Sequence, residues 1–303
     1  MAFLPLAAPY DFRLSTSRFR AYGPDPATLW QDDPADPGGG ALWRIVAGRS
    51  VRIVAAPAER GSGVLVEAGS GSGPDAAVEA EVAHLLGAPF DTAGFAAFVA
   101  ASGDVALQEL HGRFSGFRPP LAPGAFEALV TAITAQQVSL FSAFAVRGRF
   151  SAAFGRAPDG AATPAAPPTL RSFPEPEALA GVDPAELLPL GFSRRKAEYV
   201  VGVAQALTSG SLGELAALPD AEVKERLVAV RGLGEWTADW FLARHLARPQ
   251  AWPAGDLVLR KACSRHIAAG HDLTIPEVRA LAARFAPFEN LTANLLLLGS
   301  TLP

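Results

Sequence analysis

The stretch VRGLGEWTADWF, residues 230 to 241, gathers the residues of this chain best suited to chemistry. Gly232 and Gly234 stand one residue apart before a tryptophan-rich run, where glycine costs helix stability and marks a turn. If 221–230 and 235–247 are helices, Arg231 to Gly234 is a very short connector whose amides are left unpaired. Those amides and the dipole of the following helix favour an anion, and phosphate is their natural partner. The same spacing equally serves a plain αα-hairpin whose glycines only turn the chain. Trp236 and Trp240 are four apart and share a helix face, as a core pair does and as a pocket wall does. Asp256 lies twenty-two residues beyond Gly234, after a loop punctuated by Pro253 and Gly255 and directly before a helical run. That is the position of an N-cap.

These residues need elements to hold them. Upstream, LWRIV (42–46), SVRIVAA (50–56) and GVLVEA (63–68) are short, β-branched and bounded by Gly, Pro and Ser. They predict antiparallel strands, the first two joined by a tight turn at Gly48-Arg49. GSGSGPDAA then breaks the chain before a helical pattern that begins near Ala77. From about residue 92 the periodicity is helical, with Phe126, Leu129, Val130 and Ile133 on one face. A Pro/Ala-rich stretch, 155–179, reads as a surface loop of extended character. Ala197, Val200, Ala204 and Leu207 then fall in register behind Ser193 as N-cap, and Asp220 is placed to cap a helix bearing Val223, Leu227 and Val230. The division expected is an N-terminal α+β domain over 1–91 and a helical core over 92–303.

Composition narrows the classes. Half of the 303 residues are apolar, as in an ordinary globular chain, and the single cysteine, Cys263, leaves no disulfide framework and no four-cysteine metal or iron-sulfur site. A net charge of -4 gives no global attraction to nucleic acid, so DNA binding would rest on local basic residues or backbone amides. The start MAFLPLAAPYDF lacks a basic region and a long apolar run, so neither an export signal nor a membrane anchor is expected. A cytoplasmic protein is expected, nucleoid-associated if bacterial.

Hairpin, tryptophan helix and the loop ending in Pro-x-x-Asp together resemble the helix-hairpin-helix superfamily of DNA glycosylases. More closely, the chain resembles the 3-methyladenine DNA glycosylase II family. PYDF near the start, PFD at 89–91, GFRPPLAPGAFEALVTAITAQQVS at 116–139 and GFSRRKAEYV at 191–200 follow that family's order, so the resemblance covers nearly the whole chain.

The resemblance implies a mainly α fold. An N-terminal α+β subdomain with an antiparallel sheet would precede an all-helical helix-hairpin-helix core of two subdomains, with the cleft between them. Asp256 would be catalytic, its carboxylate stabilising the positive charge that builds near C1′ as the glycosidic bond breaks. A bifunctional lyase carries lysine where this chain has Trp236, so a monofunctional hydrolase is implied. Trp236 and Trp240 would wall the pocket for the flipped base, and Leu297 stands where some members place a pocket Trp. Arg231, Gly232 and Gly234 would grip DNA, and Gln137 matches the position that fills the gap left by the extruded nucleotide, often Leu. The basic run Arg194, Arg195 and Lys196 would meet phosphate, or form a solvated helix face. No cofactor or metal is required; a monovalent cation on hairpin carbonyls is the one ion the resemblance brings.

The activity implied is base excision repair: hydrolysis of the N-glycosidic bond of alkylated purines, of the 3-methyladenine and 7-methylguanine type, by a monomer acting on duplex DNA. Within the class the rival is a glycosylase for oxidised or deaminated purines. Outside it, the rival is a non-catalytic helix-hairpin-helix DNA-binding protein. Asp256 separates the two, since a plain phosphate grip has no use for a carboxylate beside an anionic backbone.

Overall fold

The computed structural model describes residues 1–69, 73–160, 163 and 165–301. Parts of two stretches read from the sequence, the 69–77 break and the 155–179 loop, therefore lie outside the described residues.

Five strands form one antiparallel sheet in the order β1-β5-β4-β3-β2: β1 (Ala2–Pro5), β2 (Leu29–Asp33), β3 (Asp36–Val46), β4 (Arg49–Ala55) and β5 (Gly63–Ala68). The three strands expected are β3, β4 and β5. Their turn sits one residue earlier than expected, on Ala47 and Gly48, both with positive φ (48° and 76°), and Arg49 already pairs with Val46. A two-residue hairpin needs left-handed backbone at both central positions, and Gly48 supplies the second of them. β1 and β2 are the edges, and neither shows clean alternation: β1 ends in Pro5, and β2 turns polar after Trp30.

Alternation along β3 sends Leu42 and Val46 to one face, where they join Val51, Ile53, Val64 and Val66 in a core closed by Val78, Val82 and Leu85. α1 (Phe12–Ser15) and α2 (Arg18–Ala21) precede the sheet's long strands, and α3 (Ala76–Leu85), capped by Asp75, covers that face. Trp43 and Ile45 face the other way and pack with Leu170.

The helical part has two separate cores. α4 (Thr92–Ala101) and α5 (Val105–Arg113) pack with α11 (Leu257–His266), α12 (Ile275–Leu281) and α13 (Glu289–Thr301) around Leu107, Leu259, Cys263 and Phe285. Between them in sequence, α6 (Ala125–Ala135), α7 (Leu140–Phe154), α8 (Arg194–Thr208), α9 (Asp220–Ala229) and α10 (Glu235–Arg244) close around Leu129, Ile133, Phe150, Val200, Leu227 and Phe241. The face predicted from Phe126, Leu129, Val130 and Ile133 is buried there, Ser193 caps α8 as expected, and Ser139 caps α7. Asp220 does not cap α9: Pro219 takes the cap position and Asp220 is the first helical residue, since a fixed φ at Pro219 leads the chain into the helix.

Sheet and helices are joined by buried charge. Arg44, on the inner face of β3, reaches Glu127 of α6 and Glu81 of α3, while Arg147 of α7 binds both Glu127 and Asp25. Two motifs quoted above also meet: the Asp11 amide donates to the Gly116 carbonyl at 2.8 Å, and the Arg118 guanidinium lies 5.4 Å from the Tyr10 ring centre. Tyr10, pressed between these layers, has its hydroxyl pushed above the usual range, first of all by burial. No helix among the described residues is long and apolar enough to cross a membrane.

Candidate active site

α9 ends at Ala229 and α10 begins at Glu235, each within a few residues of the bounds expected, and the hairpin between them is as short as the glycines imply. The two glycines differ in what they supply. Gly232 has φ +94°, and a Cβ there would stand 2.2 Å from the Tyr199 ring, so both backbone shape and space demand glycine. Gly234 has φ -109°, backbone that other residues adopt, and nothing lies within 4 Å of where its Cβ would be. Its lack of a side chain therefore leaves an open approach to the N-terminus of α10 and does not ease a strained turn. The Gly232 carbonyl accepts a 3.1 Å hydrogen bond from Gln136 Nε2, which also reaches Thr237 Oγ1 at 3.4 Å, fixing the hairpin to the end of α6. Exposed Arg231 pairs with Glu198 of α8 at 3.1 Å. In the basic run, Lys196 Nζ donates to the Thr134 carbonyl at 2.9 Å and is spent on structure, whereas Arg194 and Arg195 are exposed.

Asp256 is the N-cap expected, and its second oxygen meets the tryptophan helix. As N-cap of α11, its Oδ1 accepts the amides of Val258 (2.8 Å) and Leu259 (2.9 Å). Its Oδ2 accepts the indole N–H groups of Trp236 (2.9 Å) and Trp240 (3.1 Å). The tryptophans belong to α10, which packs in one helical core, and Asp256 opens α11, which packs in the other, so the carboxylate sits across the cleft between them. The loop that carries it is held at several points. Trp252 is buried with its indole N–H on the Val278 carbonyl (2.8 Å), Asp256 N–H closes a turn onto Pro253 O (2.8 Å), and buried Asn290 binds the carbonyls of Ala243 and Arg248.

Gln137 lies just beyond the C-cap of α6 with φ 55°, a left-handed conformation uncommon outside glycine and found where structure is held for function. It is exposed and followed by exposed Val138 on the same loop and by exposed Leu140 and Phe141 in the first turn of α7. Leu297, on α13, is half-buried and packs against the second core.

Sequence reasoning missed three neighbours of the cleft. Arg244 continues the Trp236–Trp240 face by one more turn and lies 5.2 Å from the Trp240 ring centre. Arg18 and Tyr22 come from the N-terminal part: Arg18 lies 5.8 Å from the Phe144 ring, on which Tyr22 stacks at 5.1 Å. The i, i+4, i+8 spacing of 236, 240 and 244 was the available signal for Arg244. A cavity of about 480 Å³ lies elsewhere, between sheet and α6, lined by Arg44, Glu81, Glu127 and Phe173. Its Arg44, Glu81 and Glu127 are already paired with one another, which makes it a seam between layers and not a rival site.

A hairpin with open amides, beside a carboxylate held in the cleft of two helical cores, defines the class as the helix-hairpin-helix repair fold. The chain belongs to the HhH-GPD superfamily of base excision DNA repair proteins, whose sequence model matches residues 130–287. It is 34% identical over 143 residues to a putative DNA-3-methyladenine glycosylase of Bacillus subtilis, covering 46% of this chain and 47% of that protein. It is 31% identical over 154 residues to DNA-3-methyladenine glycosylase 2 of Escherichia coli, covering 51% and 50%. The chain thus spans about half the length of the curated relatives it matches. Among solved structures, a 3-methyladenine DNA-glycosylase from Archaeoglobus fulgidus superposes with a TM-score of 0.83 at 26% identity, over 100% of this chain and 99% of that one.

Proposed function

We propose that this protein is a monofunctional DNA glycosylase that hydrolyses the N-glycosidic bond of alkylated purines in duplex DNA and leaves an abasic site. The observation that carries the reading is the Asp256 carboxylate, oriented by four uncharged N–H donors and set across the cleft from the hairpin. Breaking the bond at C1′ builds positive charge on the sugar, and a fixed carboxylate in a water-poor cleft stabilises it. Alkylated bases such as 3-methyladenine are already cationic and leave without a protein acid, so one carboxylate suffices. Trp236 and Trp240 offer flat faces to the flipped base, Gln137 and its apolar neighbours are placed to fill the vacated stack, and the hairpin amides take a phosphate. The reaction needs no cofactor; a monovalent cation on the hairpin carbonyls would serve DNA binding only. The protein acts as a monomer in the cytoplasm, on nucleoid DNA if the source is bacterial.

Base release from randomly methylated duplex DNA tests the activity, with the freed bases identified chromatographically. Release of 3-methyladenine or 7-methylguanine is expected, with no adduct trapped by borohydride, because Trp236 stands where a lyase needs an amine. Release of neither methylated base, or a trapped adduct, refutes the assignment. Gly234→Val tests the grip. The substitution meets no protein atom, so the melting temperature should hold while affinity for abasic-site DNA falls several-fold; unchanged affinity would remove the hairpin from the DNA interface.

A further inference from the structure

Three cations at the hairpin and beside α10 are each paired with a carboxylate. Lys224 of α9 meets Asp239, Arg231 in the hairpin meets Glu198, and Arg279 of α12 donates to Glu235 Oε1 at 2.8 Å. The carboxylates differ in how firmly they are held. Asp239 keeps only 4% of its side chain in solvent, so the Lys224 pair belongs to the fold. Glu235 keeps 58% and Arg279 56%, and a pair so exposed contributes little to stability and exchanges partners readily.

The exposed pair also bridges the two lobes. Glu235 is the first residue of α10, directly after Gly234, whose missing side chain leaves the helix N-terminus open. Arg279 comes from α12, which packs through Val278 in the other helical core. A guanidinium of one lobe thus reaches the end of α10 where the amides of the other lobe lie open. Arg284 gives the contrast: its partner Asp104 is almost covered and caps α5, so that pair is fixed in place.

A carboxylate in the first turn of a helix suits the dipole and competes with any other anion brought there. A phosphate approaching the same amides meets Glu235 as a like charge unless it takes over the guanidinium. Glu235 engages one nitrogen of Arg279, and among the described residues Arg279 makes no other hydrogen bond. Its remaining donors form a planar fork that fits two phosphate oxygens. With a net charge of -4 the chain draws DNA by no global field, so one well-placed cation counts.

We propose that Arg279 is a DNA-backbone contact supplied by the second lobe, which Glu235 holds in the free protein and yields to the phosphate received by the hairpin amides. The inference rests on the hairpin grip proposed above. On DNA, one phosphate is then held by amides of one lobe and a guanidinium of the other, and it replaces the carboxylate as the anion that joins them. Glu235 restrains the grip on any duplex, since each docking event has to displace it.

The experiment titrates wild type, Arg279→Met, Glu235→Gln and the double variant against an abasic-site duplex at several salt concentrations, with Gly234→Val as control for the hairpin. Arg279→Met should bind about tenfold more weakly, and its slope of log affinity against log salt should be shallower by about one, the signature of one lost phosphate contact. Glu235→Gln should bind several-fold more tightly, and the double variant should fall below it by about the same tenfold. A double variant as tight as Glu235→Gln would make Arg279 a mere counter-ion of Glu235. An unchanged salt slope in Arg279→Met would remove that residue from the backbone, and Glu235→Gln binding no tighter than wild type would remove the restraint. Each of these results overturns the proposal. Gly234→Val separates the two readings: if it weakens binding and Arg279→Met does not, the Arg279 contact alone falls, and if neither does, the hairpin grip falls with it. Binding is read without turnover, so a failure of base release leaves the contact standing.

Discussion

Glu127 and Asp256 are two carboxylates whose oxygens are both occupied by donors, and the donors differ in kind. Glu127 is buried in the seam between sheet and helices, gripped by the guanidiniums of Arg44 and Arg147. Asp256 is half-buried in the cleft and takes four hydrogen bonds, two from backbone amides and two from indoles, none of them charged. Ion pairing spends a carboxylate's charge on the fold. Uncharged donors orient a carboxylate and leave its charge to act on whatever enters the cleft. A chain that ties down both groups equally well can therefore assign one to stability and the other to chemistry.

Three substitutions break or sharpen that contrast. The largest effect belongs to Glu127→Ala, which strands two buried guanidiniums and should cost about 3–5 kcal/mol of unfolding free energy, measured by denaturant titration. Base release per folded molecule should stay near normal; a variant as stable as wild type would show that the seam contributes nothing. Next comes Asp256→Asn, expected to slow base release at least about a hundredfold. Asparagine is a good N-cap, but here its amide nitrogen would face two indole donors, so this variant should also lose about 1–3 kcal/mol of stability. Adding Trp236→Phe and Trp240→Phe removes the clash. Stability should then recover while the rate does not; recovery of both would reduce Asp256 to a cap. The smallest effect is that of Trp236→Phe alone, which withdraws one neutral donor worth about 1 kcal/mol and should slow release a few-fold with Glu127 and its partners untouched. A loss as large as that of Asp256→Asn would place Trp236 itself in the chemistry.

The contrast also explains what the sequence could disclose. The hairpin, the Trp236–Trp240 face and Asp256 lie within 25 residues and obey helical spacing and turn chemistry, so short-range rules reach them. Glu127 and Arg44 are 83 residues apart, and only the packed sheet brings them together. Arg18 and Tyr22 were missed for the same reason, since α2 is four residues long and too short for periodicity to register. β1 and β2 escaped because edge strands need not alternate.

Asp256 belongs to α11 by its amide bonds and to α10 by its indole bonds, and those helices sit in different cores. The carboxylate is in effect a latch. Any parting of the two lobes lengthens both indole contacts together, so the cleft cannot widen without letting go of the group it is built to aim. Access and alignment become one mechanical coordinate: on the proposed reading, the carboxylate is aimed at a base only while both indole bonds hold.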